Sequence, residues 1–292
     1  MHNGIKKMIY FGRGVAPSQY LFDIYGVGVG GFSFRVLSQD SPTTNIILSR
    51  SIDSEILNLG YGSNDSIDLA LAAEFAEDGN VMCDEWINQG SLVGVNFLQT
   101  AAGKKPFLYK AGVLQTDGGK PCLKFDGGQC LSAGDNFGTY SQTENGLYSY
   151  MSTSLGSMLA DSNVLHGKIS AYGVFGQRGV VRTANDYLLS ESGYYGTAKK
   201  NTRALYSNLS SITVASYTND YFYVNNILDA SWTGRCAING YRYLIGAGDI
   251  GGNEFWYLNG KFQELIIYKD LTANVPSLSD LNTDLITYYG IS

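Results

Sequence analysis

Apolar and polar residues alternate in short runs along most of this chain. Gly31–Leu37 sets Phe32, Phe34 and Val36 on one face, the period-two pattern of a half-buried strand. Similar runs follow at 45–50, 54–59, 146–151, 171–175, 211–217, 220–224, 243–246 and 261–268. Clusters of Gly, Asn, Ser and Asp separate them every ten or so residues, the cadence of a β-sandwich or barrel. Only two stretches have helical spacing. One runs from Ser66 to Glu77, with an Asp65/Ser66 cap, Ile67, Leu71 and Phe75 on one face, and a stop at Gly79. The other starts at Ser277 after Pro276, aligns Leu278, Leu281, Leu285 and Tyr289, and ends at Gly290. No period of 20–50 residues repeats, which argues against a propeller or solenoid. The expected division is a basic, aromatic arm over 1–25, a small mixed leader unit over 26–80 packed on the sandwich, and one β-sandwich with its C-terminal helix over 81–292.

Composition narrows the class. The 292 residues include 36 Gly, 22 Tyr and 13 Phe, and 16% are charged. That is too apolar and too weakly charged for a disordered chain. No run approaches the ~20 apolar residues of a membrane-spanning helix. The net charge of −6 argues against nucleic acid and anionic bilayers as partners. The basic pairs Lys6-Lys7, Lys104-Lys105 and Lys199-Lys200 are scattered and read as solvated loops. Four cysteines (Cys83, Cys122, Cys130, Cys236) form no CxxC pair, and there are two histidines, His2 and His166. No metal site and no cofactor are expected from that set. Cys83 and Cys122 sit in apolar runs and read as small buried hydrophobes. The first residues lack the apolar stretch of a standard secretion leader.

Several short motifs resemble one family. Trp86-Ile-Asn-Gln-Gly-Ser91 leads into Phe97-Leu-Gln-Thr-Ala-Ala102 and then Gly119-Lys-Pro-Cys-Leu-Lys-Phe-Asp-Gly127. Near the end come Tyr221-Phe-Tyr-Val-Asn-Asn-Ile-Leu228, Tyr243-Leu-Ile-Gly-Ala247 and Gly260-Lys-Phe-Gln-Glu-Leu-Ile-Ile-Tyr268. In this order they resemble laminin-G/concanavalin-A-like jelly rolls of bacteriophage tail and fibre proteins, and residues 34–86 resemble the leader that often precedes them. Asn88 stands where the family pattern has Asp, and Gln129-Cys130 interrupts its F-D-G-x-x-D-Y-L stretch. The resemblance implies a mainly β jelly roll and a virion surface protein, part of a tail fibre, tail tip or head fibre. It would be made in the host cytoplasm and attach to a host glycan. The expected partners are other virion proteins and its own copies, with a trimer favoured. A decoration or adaptor protein without a ligand site is the alternative.

Candidate chemistry follows from residue type. An indole stacks on sugar C–H faces, so Trp232, in the polar segment 229–235 read as a turn, and Trp256 are ligand-binding candidates, with Arg235 beside the first. Trp86 reads as core. Tyr194 and Tyr195, in a Gly-bounded loop, cannot both enter the same face of a strand, so at least one is available for contact. A glycosidase needs two carboxylates about 5–9.5 Å apart. The acids in or beside strands are Asp84, Glu85, Glu191, Glu254 and Glu264, and Glu264 reads as structural. A leader pattern, Arg50-Ser-Ile-Asp53 followed by Trp86-Ile-Asn-Gln-Gly90, has a distant likeness to arabinofuranosidases, but no matching acidic pair accompanies it. His166 has no nucleophile motif near it, and Gly26–Gly31 lacks the strand and helix of a dinucleotide loop. The expectation is therefore a binding protein with no catalytic residues, a glycoside hydrolase of the arabinofuranosidase type being the less favoured alternative.

Overall fold

The computed structural model describes residues 20–134, 146–154, 162–168, 177–183, 188–190, 194–195, 204–214, 217–234, 242–250, 253–255, 257–269 and 277–291. From 146 to 195, and at several positions between 206 and 234, that description is of the backbone. In chain order, helix α1 (Leu21–Tyr25) precedes β1 (Gly30–Ser33), β2 (Thr44–Arg50) and β3 (Ile56–Gly60). Helix α2 (Leu69–Ala76) leads into β4 (Val81–Trp86), β5 (Phe97–Leu98), β6 (Phe107–Lys110) and β7 (Val113–Leu114). Next come β8 (Thr116–Asp117), β9 (Lys120–Pro121), β10 (Leu123–Asp126) and β11 (Leu131–Ser132). The middle of the chain supplies β12 (Gly146–Ser154), β13 (Ser162–Lys168), β14 (Gln177–Thr183), β15 (Leu188–Ser190) and β16 (Tyr194–Tyr195). The remainder forms β17 (Ala204–Val214), β18 (Tyr217–Val224), β19 (Ile227–Gly234), β20 (Leu244–Ile245), β21 (Gly248–Ile250), β22 (Asn253–Phe255), β23 (Asn259–Lys269) and helix α3 (Leu278–Tyr289).

Antiparallel pairing folds these strands into a β-sandwich of jelly-roll type. One layer runs β19–β18–β17–β12–β23, with β1 and β10 sharing the far edge of β23. The other runs β3–β2–β4–β5–β11–β20–β13–β14–β15–β16. β6 bonds to both β4 and β10 and so carries the sheet from one layer into the other.

The main core lies between the layers. Trp86 is fully buried, stacked on Phe34 at 5.0 Å and edge-on to Phe32 and Phe262. Cys83 packs in the same core, and Cys122 and Cys130 are also buried. Phe262 and Leu265 both enter the core although three residues apart, because the pairing with β12 jumps from Met151–Glu264 to Ser152–Phe262. Gln263 is the extra residue of that bulge. Its amide donates to the carbonyls of Asp117, Lys120 and Pro121 and ties the β8–β9 hairpin to β23.

A second cluster covers the outer face of β23. Leu281, Leu285 and Tyr289 of α3 pack with Leu21, Phe22, Leu205, Ile266 and Tyr268. The expected terminal helix is therefore present, capped by Ser277 and ended by Gly290 at φ 60°. The earlier helix departs from expectation. Asp68, not Asp65/Ser66, is its cap, accepting from Leu71 N. Ile67 pairs with Tyr61 outside the helix, and the buried face is Ala72 and Ala76 while Leu71 is 40% exposed. Helix α1 has no counterpart in the sequence expectation.

The motifs that carried the family resemblance meet in space. Gly246 has φ +85°, and a Cβ there would lie 2.5 Å from the Phe125 ring, so only glycine lets the two segments close. Asn225 and Asn226, with φ 48° and 66°, make the two-residue turn between β18 and β19.

Candidate functional site

Register places the sequence candidates on strands. Residue 232 lies inside β19, not in a turn, because the chain reverses earlier at Asn225-Asn226. It is paired with Asp220 of β18, which pairs with Ser210 of β17, which pairs with Gly146 of β12. The next row runs Ala230, Phe222, Asn208, Tyr148, and the one after it Ile227, Val224, Tyr206, Tyr150. Directly paired positions share a sheet face. Tyr148 and Tyr150 pair with Ile267 and Leu265 of β23, which belong to the main core, and Val224 packs against that core. These rows form a strip of paired positions across β19, β18, β17 and β12.

Tyr194 and Tyr195 form β16, the last strand of the other layer, rather than a loop; they pair with Ser190 and Leu189. Cα atoms of β16 and β19 come within 8 Å. The two layers therefore bring residues 194–195 and the strand of Trp232 side by side. Arg235 and Trp256 lie outside the described residues, as do Glu191 and Cys236.

A charged cluster adjoins β20, just before position 256. Arg242 donates from Nε and Nη2 to Asp249 at 3.2 and 3.1 Å, and from Nη1 to Glu254 Oε1 at 2.9 Å. Lys104 Nζ reaches Glu254 Oε2 at 2.7 Å. Asp249 and Glu254 are themselves cross-strand partners in the β21–β22 hairpin. Burial opposes ionisation of Glu254, but its bonds to Lys104 and Arg242 outweigh it and hold the carboxyl below the usual range. Burial raises the neighbouring Cys130 thiol to about 11, with the charge of Glu254 adding to the effect.

Lys105 corrects the reading of the Lys104-Lys105 pair as solvated. It is 8% exposed, with Nζ 2.7 Å from Asp84 Oδ2 and 3.0 Å from Ser49 Oγ. Glu264, 1% exposed, accepts from Arg35 Nη2 at 3.1 Å and from the Tyr289 hydroxyl. Glu85 accepts from Asn96. Each strand carboxylate singled out in the sequence and lying among the described side chains is thus engaged by a neighbour. Among the described residues no group of three or more His, Cys, Asp or Glu side chains is placed to hold a metal ion.

The Trp86-Ile-Asn-Gln-Gly turn is a structural staple. Asn88 Oδ1 accepts from Gly31 N and Gly90 N, while Nδ2 donates to the carbonyls of Val29 and Leu92. Gln89 accepts from Leu37 N and donates to the carbonyls of Ser33 and Arg35.

No protein-family model matches the chain, and no curated protein matches it. Among solved structures its fold is similar to that of an arabinofuranosidase complexed with arabinofuranosyl-α-1,2-xylobiose, with TM-score 0.61 and 12% identity. It is also similar to an α-L-arabinofuranosidase of glycoside hydrolase family 54 soaked with a cyclic sulfate inhibitor, with TM-score 0.56 and 12% identity. Both alignments cover 92% of this chain and 64% of the other, so the chain spans under two thirds of those proteins. At this identity the likeness is one of fold.

Proposed function

We propose that the chain is a bacteriophage virion surface protein whose β-sandwich attaches to a host glycan across the strip on β17–β18–β19 and the adjoining β16. The observation that carries this reading is the approach of β16 to β19, which sets Tyr194 and Tyr195 beside the strand of Trp232, with Asp220 opposite that residue. Aromatic faces with a neighbouring carboxylate and amide suit the apolar and hydroxyl faces of a pyranose. The engaged state of Asp84, Glu254 and Glu264 favours binding over turnover. The virion assignment rests on the motif resemblance, and with it the cytoplasmic synthesis, the virion partners and the trimeric state.

The test is adsorption. Purified protein should bind host cells and compete with the phage, and Trp232→Ala with Tyr194→Ala/Tyr195→Ala should abolish the competition while the fold is retained. Unchanged adsorption combined with lost virion incorporation would favour a purely structural adaptor.

A second reading, glycoside hydrolysis, is favoured by the fold likeness to arabinofuranosidases. Release of arabinose from an arabinofuranosyl substrate, abolished by one carboxylate-to-amide change, would establish it in place of the first.

A further inference from the structure

Helix α2 is apolar nearly all round. Its sequence, Leu-Ala-Leu-Ala-Ala-Glu-Phe-Ala, has one polar residue in eight. Such a helix belongs in an interior. Here only Ala72 and Ala76 are buried, while Ala70, Leu71 and Ala73 are exposed and Phe75 is half-buried. Phe75 packs against the main core and lies 5.1 Å below the Arg50 guanidinium, so the outward apolar face is that of Ala70, Leu71 and Ala73, and its surroundings are acidic. Asp65 and Asp68 lie before the helix, Glu74 is on it, and Glu77 and Asp78 follow it. From residue 51 to residue 103 there are nine carboxylates and no Lys, Arg or His. The nearest guanidinium is that of Arg50, which Asp53, Glu55 and Glu77 already surround.

The complementary chemistry is in the same chain. Residues 1–19 carry Lys6, Lys7 and Arg13 and no acid, with Ile5, Met8, Ile9, Tyr10 and Phe11 interleaved. That segment joins the fold next to the helix. Tyr20, the first described residue, donates its hydroxyl to Asp65 at 3.1 Å, three residues before the cap of α2. The fourteen residues from Tyr20 back to Lys6 can span roughly 45 Å when extended. The helix is only about 12 Å long.

We propose that residues 5–13 dock on the exposed face of α2 of their own chain. The apolar side chains would cover Ala70, Leu71 and Ala73, and Lys6, Lys7 and Arg13 would meet Glu74, Glu77 and Asp78. This goes beyond glycan attachment and does not depend on it.

Zero-length carbodiimide cross-linking of the full chain, read by mass spectrometry, tests the contact. Amide links are expected from Lys6 or Lys7 to Glu74, Glu77 or Asp78 within one chain. They should fall to background in Leu71→Asp, an exposed position whose change leaves the core intact. A folded protein giving no such links would overturn the proposal. So would links that, in a mixture of isotope-labelled and unlabelled protein, join only different copies, since the surface would then take a second chain's arm. Links that persist unchanged in Leu71→Asp would also overturn it, because charge alone would then account for them.

Discussion

Lys104 Nζ lies 2.7 Å from Glu254 Oε2, an ion pair that joins residues 150 apart in the chain. Its sequence neighbour Lys105 turns to Asp84 on β4. The segment between β5 and β6 is thereby pinned by adjacent residues to β4 on one side and to the β21–β22 hairpin on the other. Arg242 completes the second anchor by holding Asp249 and Glu254 together.

Glu254→Gln should cost about 1–3 kcal/mol, because Lys104 and Arg242 then lose a largely buried counter-charge. Glu254 titrates below the ordinary carboxylate range, so its contribution is complete above the unfolded value of about 4.3 and is lost as pH falls through the lower folded value. Urea titrations from pH 7 to pH 3 should show wild type and variant converging at the acid end.

Glu264→Gln should be more damaging, about 3–5 kcal/mol, because it leaves the Arg35 guanidinium buried without its counter-charge. The double variant Arg35→Met/Glu264→Leu should recover part of that loss. Equal destabilisation by the single and double changes in chemical denaturation would contradict the pairing.

Asn88→Asp should destabilise by about 1–3 kcal/mol. The carbonyls of Val29 and Leu92 would lose their donors and face a carboxylate instead. Thermal and urea midpoints of the variant measure this directly.

Cys83, Cys122 and Cys130 should resist thiol reagents at pH 8 until the protein unfolds. All three are buried; burial lifts the Cys83 thiol well above its ordinary value and that of Cys130 to about 11. Alkylation followed by peptide mapping, with and without denaturant, gives the comparison.

The sandwich, the buried Trp86 and the C-terminal helix were legible in the sequence because period and cap chemistry agree there, as in Ser277, Leu281, Leu285, Tyr289 and Gly290. The α2 boundary was ambiguous because Asp65, Ser66 and Asp68 are all cap-type residues, and only the Asp68 side chain meets the N–H of Leu71. Its buried face was hidden because the fully buried residues are two alanines, with Phe75 only half-buried against the core and Leu71 turned outward. Lys105 was misread because its partner Asp84 is 21 residues away and a doublet of lysines carries no sign of burial. Residue 232 was read as a turn because Asp229–Gly234 is polar, whereas the positive φ angles that reverse the chain are at Asn225 and Asn226. Nothing local signalled that β16 would lie beside β19, since that depends on how both layers end.

The most direct test of glycan attachment is a host-polysaccharide binding assay on the full chain, comparing wild type with Trp232→Ala and with Tyr194→Ala/Tyr195→Ala. Saturable binding that each variant weakens at least about tenfold, a loss of about 1.4 kcal/mol or more per variant, is the predicted result. No binding by the wild type, or full binding by both folded variants, would contradict it.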